Sequence, residues 1–272
     1  MKTLYLFLLP ALLCTCTSKK SGQANLAELF SKGTWIDLTY AFSDSTLYWP
    51  NNKINFHLDT LSLGVTPGGF FYSSYQFCAP EHGGTHLDAP IHFAAKGWTS
   101  DQIPVNNLNG TAIVVDVSEK ALKNRDYLVS TGDLEAWEDK NSKIADDAIV
   151  LLRTGYGKFY PDALTYFGTN EHGPEAVPKL HFPGLDPEAA AWLVQNRKVK
   201  AVGLDTPSID YGQSKDFKSH QVLLGANIPV FENVANLEKL PVTGSFVMAL
   251  PMKIAGGSGG PLRIVAWMES AK

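Results

Sequence analysis

The sequence predicts a mixed α/β fold built on a strand-rich sheet. Short apolar runs with strand character recur along the chain, several pairs of them adjacent, and they outnumber the segments with helix-cap signals. Gly 23 and Pro 16 supply the many turns such a fold needs. With 272 residues, 44% of them hydrophobic and 18% charged, the chain is long enough for one domain with a sizeable core. The formal net charge is -4, and no run of basic residues interrupts the sequence, which excludes nucleic acid as the main partner.

The elements follow in order. "TWIDLTYAF" (34–42) reads as a first strand and "INFHLDTLSL" (54–63) alternates as a second. "TPGG" (66–69) is a turn, and the aromatic strand "FFYSSYQFCA" (70–79) leads out of it. "TAIVVDVS" (111–118) and "DAIVLLRTG" (147–155) are buried strands. Between them "STGDLEAWEDK" (130–140) is a helix capped at Ser130 or Thr131. Residues 156–184 are too long and too rich in Gly and Pro for a connector, so they read as a functional or interface insertion. "DPEAAAWLVQNRK" (186–198) is a helix with Asp186 as cap and Pro187 in its first turn. "VKAVGLDTPSID" (199–210) returns as a strand ending in a polar loop. Residues 218–241 hold a short helix stopped at Gly225 and a short strand near Val230. "SFVMALPMKI" (245–254) and "PLRIVAWM" (261–268) close the sheet across the turn "AGGSGGP" (255–261), which lacks the Lys-Ser/Thr ending of a phosphate loop.

The N-terminus is read as an address. A charged start at Lys2 precedes an apolar run over 4–13, too short to span a bilayer and of the length of a signal-peptide core. "LCTC" follows and resembles the lipobox of bacterial lipoproteins, in which Cys16 would be lipidated. Residues 1–15 are therefore read as a signal peptide with lipobox, 16–28 as a polar tether and 29–272 as the folded domain. The expected location is outside the cytoplasm, periplasmic or anchored to the outer membrane, with membrane contact only through the lipid. Plain secretion and a retained anchor are the other fates open to such a segment. Of Cys 3, two lie in this segment; Cys78 is left alone, with no internal disulfide, and is expected as a small buried hydrophobe.

The chemistry concentrates in "EHGGTHLDAPIH" (81–92). His82, His86, Asp88 and His92 all fall on even positions, and an extended chain points even positions to one face. Gly83, Gly84 and Pro90 disfavour a helix. Imidazole nitrogens with a carboxylate suit a borderline divalent cation, zinc or manganese. His82, His86 and Asp88 as ligands would leave a position for water, whose proton such a cation makes acidic near neutral pH. A polar turn is the plainer alternative for one "HGGTH", but four aligned groups on one face argue against it.

"HGGTHLDAPIH" resembles the signature His-x-Gly-Thr-His-x-Asp-x-Pro-x-His of the cyclase family of metal-dependent hydrolases, which includes bacterial kynurenine formamidase and isatin hydrolase. Every fixed position matches: His82, Gly84, Thr85, His86, Asp88, Pro90 and His92. "VLLRTG", "PGLDPEAAAWL", "VGLDTPSID" and "LPMKIAGGSGGPLRIVA" resemble further family segments in the same order. The resemblance implies a swivelling β/β/α architecture and metal ligation by His82, His86 and Asp88, with Asp88 bridging where two ions bind. It implies an acid–base role for His92. A downstream His followed twelve residues later by Glu completes the family's second metal site, and His220 and Glu232 stand at that spacing. His57, His172 and His181 match nothing in the pattern. A homodimer or higher homo-oligomer is implied as well.

The implied reaction is attack on a C–N amide bond by hydroxide held on the metal, with His92 as proton donor to the departing nitrogen. The first reading is an arylformamidase that releases kynurenine and formate from N-formylkynurenine. The alternative is a cyclic amide, imide or lactone hydrolase of isatin-hydrolase type, and a third reading is a non-catalytic metal-binding lipoprotein. Trp49, Phe71 and Tyr156 are the candidate substrate contacts, with Tyr48, Phe70 and Tyr72 beside them. Aromatics at strand spacing more often build core. Asn51 and Asn52 replace the glycine and the acidic or hydroxyl residue usual after the proline of "LYWPNN". Arg153 and Arg263 are alternatives for holding a substrate carboxylate.

Overall fold

The computed structural model describes residues 26–270. The signal peptide read at 1–15, with most of the tether at 16–28 and Cys16 itself, lies outside the described residues. Helix α1 (Leu26–Ser31) starts inside the stretch read as tether, and β1 (Gly33–Asp37) follows it. Strands β2 (His57–Val65) and β3 (Phe71–Cys78) form a hairpin that pairs only with itself among the described residues. The short β4 (His86–Asp88) comes next, then β5 (Asn109–Asp116) and α2 (Ser118–Ala121). After them run β6 (Leu128–Val129), α3 (Thr131–Asn141) and β7 (Ile149–Arg153). Helix α4 (Ala163–Phe167) lies in the insertion; β8 (Gly184–Leu185), α5 (Pro187–Arg197) and β9 (Ala201–Leu204) succeed it. Finally come α6 (Lys218–Gly225), β10 (Val230–Glu232), β11 (Ser245–Pro251) and β12 (Gly259–Glu269).

The main sheet closes on itself. Its order is β12-β11-β5-β7-β9-β10-β4, and β4 pairs back onto β12, so seven strands form a ring, with β1 added on β12. The strands from β5 through β7 and β9 to β10 run parallel, and the remaining ring pairs are antiparallel. The expected mixed, strand-rich α/β class is what the chain adopts.

Residue alternation builds two apolar layers. Ile149 and Leu151 of β7 face the ring interior with Val114, Phe231, Val247 and Ile264. Val150 and Leu152 face outward and pack with Leu134 and Trp137 of α3, Leu193 of α5 and Leu223 of α6. Parallel strands covered on both faces read as continuous apolar runs, which is why "AIVLL" carries no polar alternation. The two long helices start where the sequence says. Ser130 and Asp133 form a capping box on α3, and Asp186 caps α5 by accepting from the Glu188 N–H.

Two expectations need correction. Cys78 is exposed, because it sits on the free hairpin and not in the core. The strand read over 34–42 is paired only to Asp37 before the chain turns toward the site. The segment over 156–184, read as a functional or interface insertion, is anchored to the sheet at its base. The buried Asp205 carboxylate accepts from Thr154 N and Oγ1 at 2.8 and 2.6 Å and from Gly155 N at 2.9 Å, and burial raises its pKa. Tyr166 of α4 donates its hydroxyl toward the Asp205 carbonyl and the Asn233 side chain. Replacing Asp205 with alanine leaves buried donors unmet, so we expect a loss of about 3 kcal/mol or more in urea unfolding. A loss below about 1 kcal/mol would show that this carboxylate does not hold the insertion in place.

Candidate metal centre and active site

Strand β4 is the closing strand of the ring, held between β10 and β12. Its register sets His86 opposite Glu232 on one side and Pro261 on the other, and Asp88 opposite Val230 and Gly259. Leu87 and Phe231 point into the ring core, so His86, Asp88 and Glu232 point outward, toward the helix layer. The period of two operates over 86–88 only. His82 arrives through a turn at Gly83–Gly84, where Gly84 takes φ +55° and a Cβ on Gly83 would stand 2.1 Å from the Tyr48 ring. His92 arrives through the 3-10 turn Pro90–His92. His220 reaches the same place from α6.

The donor atoms converge. His82 Nδ1 lies 2.6 Å from Asp88 Oδ1, and His86 Nε2 lies 3.3 Å from the same oxygen and 3.4 Å from Glu232 Oε2. His220 Nε2 is 3.2 Å from Asp88 Oδ2 and 3.2 Å from Glu232 Oε1. The opposite nitrogen of each ring is already engaged. His86 Nδ1 sits 3.0 Å from the Gly84 carbonyl and His220 Nδ1 2.6 Å from Asp210, so both must donate there. His82 Nε2 meets the Ser258 hydroxyl at 2.9 Å. In the neutral rings this leaves lone pairs at His86 Nε2 and His220 Nε2, each facing Asp88 and Glu232, while His82 Nδ1 faces Asp88. Acceptors set against acceptors in a buried space repel unless a cation or protons lie among them. Atoms bound about 2.1 Å from one ion stand roughly 3.0–3.4 Å apart, which matches most of these spacings. The residues therefore fit a divalent cation, with Asp88 able to serve two.

Without a cation, protons take its place. Burial opposes charge on His86, but Asp88 and Glu232 outweigh it and raise the ring to about 9. Burial likewise opposes charge on His220, and Asp210, Asp88 and Glu232 raise it well above the ordinary value. Burial raises Glu232, and Asp88 adds to the rise. Burial also pushes Asp88 up, but the surrounding imidazoles hold it well below the carboxylate range. His92 differs. Burial of most of the ring lowers it to about 4, against the pull of Asp88, although the residue keeps an exposed surface. It stacks on His82 with ring centroids 3.9 Å apart.

The site floors a cavity of about 270 Å³ whose upper walls are Leu47, Tyr48, Trp49, Phe93, Phe167 and Phe217. Of the expected substrate contacts, Trp49 lines this cavity. Phe71 does not: it is 65% exposed on the hairpin, with Phe70 and Tyr72 also exposed nearby. Tyr156 does not either, being 2% exposed and packed with Tyr166 and Phe182. Arg153 pairs with Asp116 and Arg263 with Asp37, and neither lines the cavity. His57 pairs with Asp59 and His181 with Asp126, apart from the centre. Sequence reading missed Phe93, Phe167 and Phe217, Asp210 behind His220, and Asn233, whose amide donates to the Gly84 carbonyl at 2.7 Å. Phe93 directly follows His92, a proximity that could have found it. No local period marks the others.

The Cyclase family model, described as "Putative cyclase", matches residues 36–211, and the chain belongs to this family. It is 31% identical over 228 residues to the isatin hydrolase of Roseibium aggregatum, covering 80% of this chain and 82% of that one. It is 29% identical over 230 residues to the kynurenine formamidase of Salinibacter ruber, covering 85% and 95%. The solved isatin hydrolase A from Ralstonia solanacearum superposes with a TM-score of 0.80 at 30% identity, over 93% of this chain and 100% of that one.

The raised His86 dictates a pH response of the metal-free protein. Its contribution to stability is complete below the ordinary value of 6.5 and is lost as pH rises through about 9. We expect the Tm of chelator-treated protein to fall between those values. Added zinc should offset the fall, because a cation needs the deprotonated ring. A flat or rising metal-free profile would contradict the assignment of protons to this cluster.

Proposed function

We propose that this chain is a metal-dependent hydrolase that opens a cyclic amide fused to an aromatic ring, the isatin-hydrolase type of reaction. The observation that carries the reading is the convergence of three imidazoles and two carboxylates below an aromatic-walled cavity. Zinc or manganese, as one or two ions, is the cofactor this donor set suits, held by His82, His86, Asp88, His220 and Glu232. When bound, such a cation supplies Lewis-acid polarisation of the substrate carbonyl and a more acidic water.

The chain's own residues perform the rest. Trp49, Phe93 and Phe217 hold a flat substrate by its faces and keep bulk water from the reacting carbonyl. The His92 side chain has no hydrogen-bond partner among the described residues and stays neutral at pH 7, so a ring nitrogen is available as a base. It takes a proton from the attacking water as the new C–O bond forms. It returns that proton to the nitrogen as the C–N bond breaks, which turns an amide anion into a neutral leaving amine.

The second reading is hydrolysis of an open aryl formamide, the arylformamidase reaction, which the kynurenine formamidase relatives support. The cavity lining favours the cyclic substrate. Neither Lys nor Arg is among the residues that line it, so no cation is at hand for the carboxylate of an amino-acid substrate. Export and lipid anchoring belong to the proposal too, supported by the pattern of residues 1–16.

Zinc- or manganese-loaded protein should hydrolyse isatin faster than N-formylkynurenine. His92→Ala should keep its metal and lose about 10²–10⁴ in kcat. Loaded wild-type protein that turns over neither compound nor a simple lactone would leave a metal-binding protein without catalysis.

The proposal includes a homodimer or higher homo-oligomer. The β2–β3 hairpin supports it: Leu63, Val65, Phe71 and Phe77 are each more than half exposed, on a two-stranded ribbon that is marginal in water by itself. Light scattering should give at least twice the chain mass, and Phe71→Ser with Phe77→Ser should shift it toward the monomer. A monomeric wild type would remove this part of the proposal.

A further inference from the structure

We infer that Ser258 and Glu81 are positioning residues that select the His82 tautomer and aim its Nδ1 at the metal centre. The inference rests on the reading of His82 as a metal ligand. Ser258 belongs to the glycine-rich turn between β11 and β12, which as sequence is only a loop. In the fold that turn lies against the site segment. Ala89 N donates to the Ser258 carbonyl at 2.9 Å, Ser100 N donates to the Gly257 carbonyl at 2.9 Å, and Gly259 stands opposite Asp88 in the β12–β4 register.

The hydrogen bonds form a directed chain. The Glu81 carboxylate accepts from the Ser258 hydroxyl at 2.5 Å and from the Ser258 backbone N–H at 3.0 Å. A hydroxyl has one proton, and the short bond to a carboxylate claims it. Toward His82 the Ser258 oxygen is left as an acceptor, so His82 Nε2 must carry the ring proton across the 2.9 Å contact. The lone pair then belongs to Nδ1, the atom 2.6 Å from Asp88 Oδ1. With the other tautomer, Nδ1–H would point into the centre and could not bind a cation.

Sterics support the same assignment. A Cβ on Gly257 would stand 2.7 Å from Glu81 Oε1, and one on Gly259 would stand 2.7 Å from His82 Cε1 and 2.4 Å from the Leu87 carbonyl. Two glycines of the turn thus sit where any side chain would push the carboxylate or the imidazole out of place. His82 acquires what His220 has from Asp210 and His86 from Gly84: an outer acceptor that fixes one nitrogen and frees the other.

The test measures zinc affinity of the full protein by chelator competition, for wild type, Ser258→Ala, Ser258→Thr, Glu81→Gln and His82→Ala, with the metal-free Tm of each as a folding control. Ser258→Ala keeps the backbone bond to Glu81, so the turn should persist. We expect Ser258→Ala to weaken zinc binding about 10–100-fold, His82→Ala at least as much, and Glu81→Gln by a smaller factor. Ser258→Thr, which keeps the hydroxyl, should return to within about threefold of wild type. If Ser258→Ala binds zinc as wild type does while His82→Ala does not, the positioning role is overturned and the ligand reading survives. If His82→Ala also binds normally, His82 is not a ligand and both fall. Failure of Ser258→Thr to restore affinity would assign the loss to turn packing and overturn the inference.

Discussion

Three imidazoles and two carboxylates meet at the closing strand of the barrel, where nitrogen and oxygen lone pairs repel unless a cation or protons lie among them. The rest of the site can be understood as the means of holding this electrostatic conflict in place. Each imidazole is gripped from behind: His220 by Asp210, His86 by the Gly84 carbonyl, His82 by Ser258. Glu232 is gripped by the Ile209 N–H at 2.7 Å. A folded chain tolerates so many converging acceptors only where a cation or shared protons repay the repulsion.

The ring of strands supplies the stiffness. Because β4 is bonded on both edges, the His86–Asp88 pair cannot slide without breaking the barrel, and a slip of one residue would turn both side chains into the core. The helix layer brings His220, and the insertion brings Phe167 and, through Tyr166 and Asn233, a brace to the Gly84 carbonyl. The long irregular stretch is therefore part of the site wall and not a detachable appendage. His92 is the exception to the gripping. It leans on His82 by stacking, its ring nitrogens without a hydrogen-bond partner among the described residues, which suits the acid–base role proposed for it.

Much of the centre was legible in twelve residues. Spacing by two places His86 and Asp88 on one face of β4, and the residue types of 81–92 mark the segment as the site, but His82 and His92 join them through turns and not through the strand period. The capped helices and buried strands were legible because their constraints act within one short span of backbone. Phe71 and Tyr156 were misassigned because an aromatic in a strand or at a strand end looks alike whether it faces solvent, core or cavity. The hairpin put Phe71 in the open, and the insertion folded over Tyr156.

By itself, then, the sequence determined the local chemistry: which groups stand on one face of an extended segment, where helices begin and where the chain must turn. The family spacing names His220 and Glu232, but only the tertiary structure decided that they meet Asp88 and which other distant residues support them. His220, Glu232, Asp210 and Ser258 come to the site from separate segments, and the barrel closure that pairs β4 with both β10 and β12 brings them in. The physical reason is range. Backbone periodicity acts over a few residues, whereas the candidate site also needs contacts between residues far apart in the chain, such as Asp88 and His220, 132 positions apart.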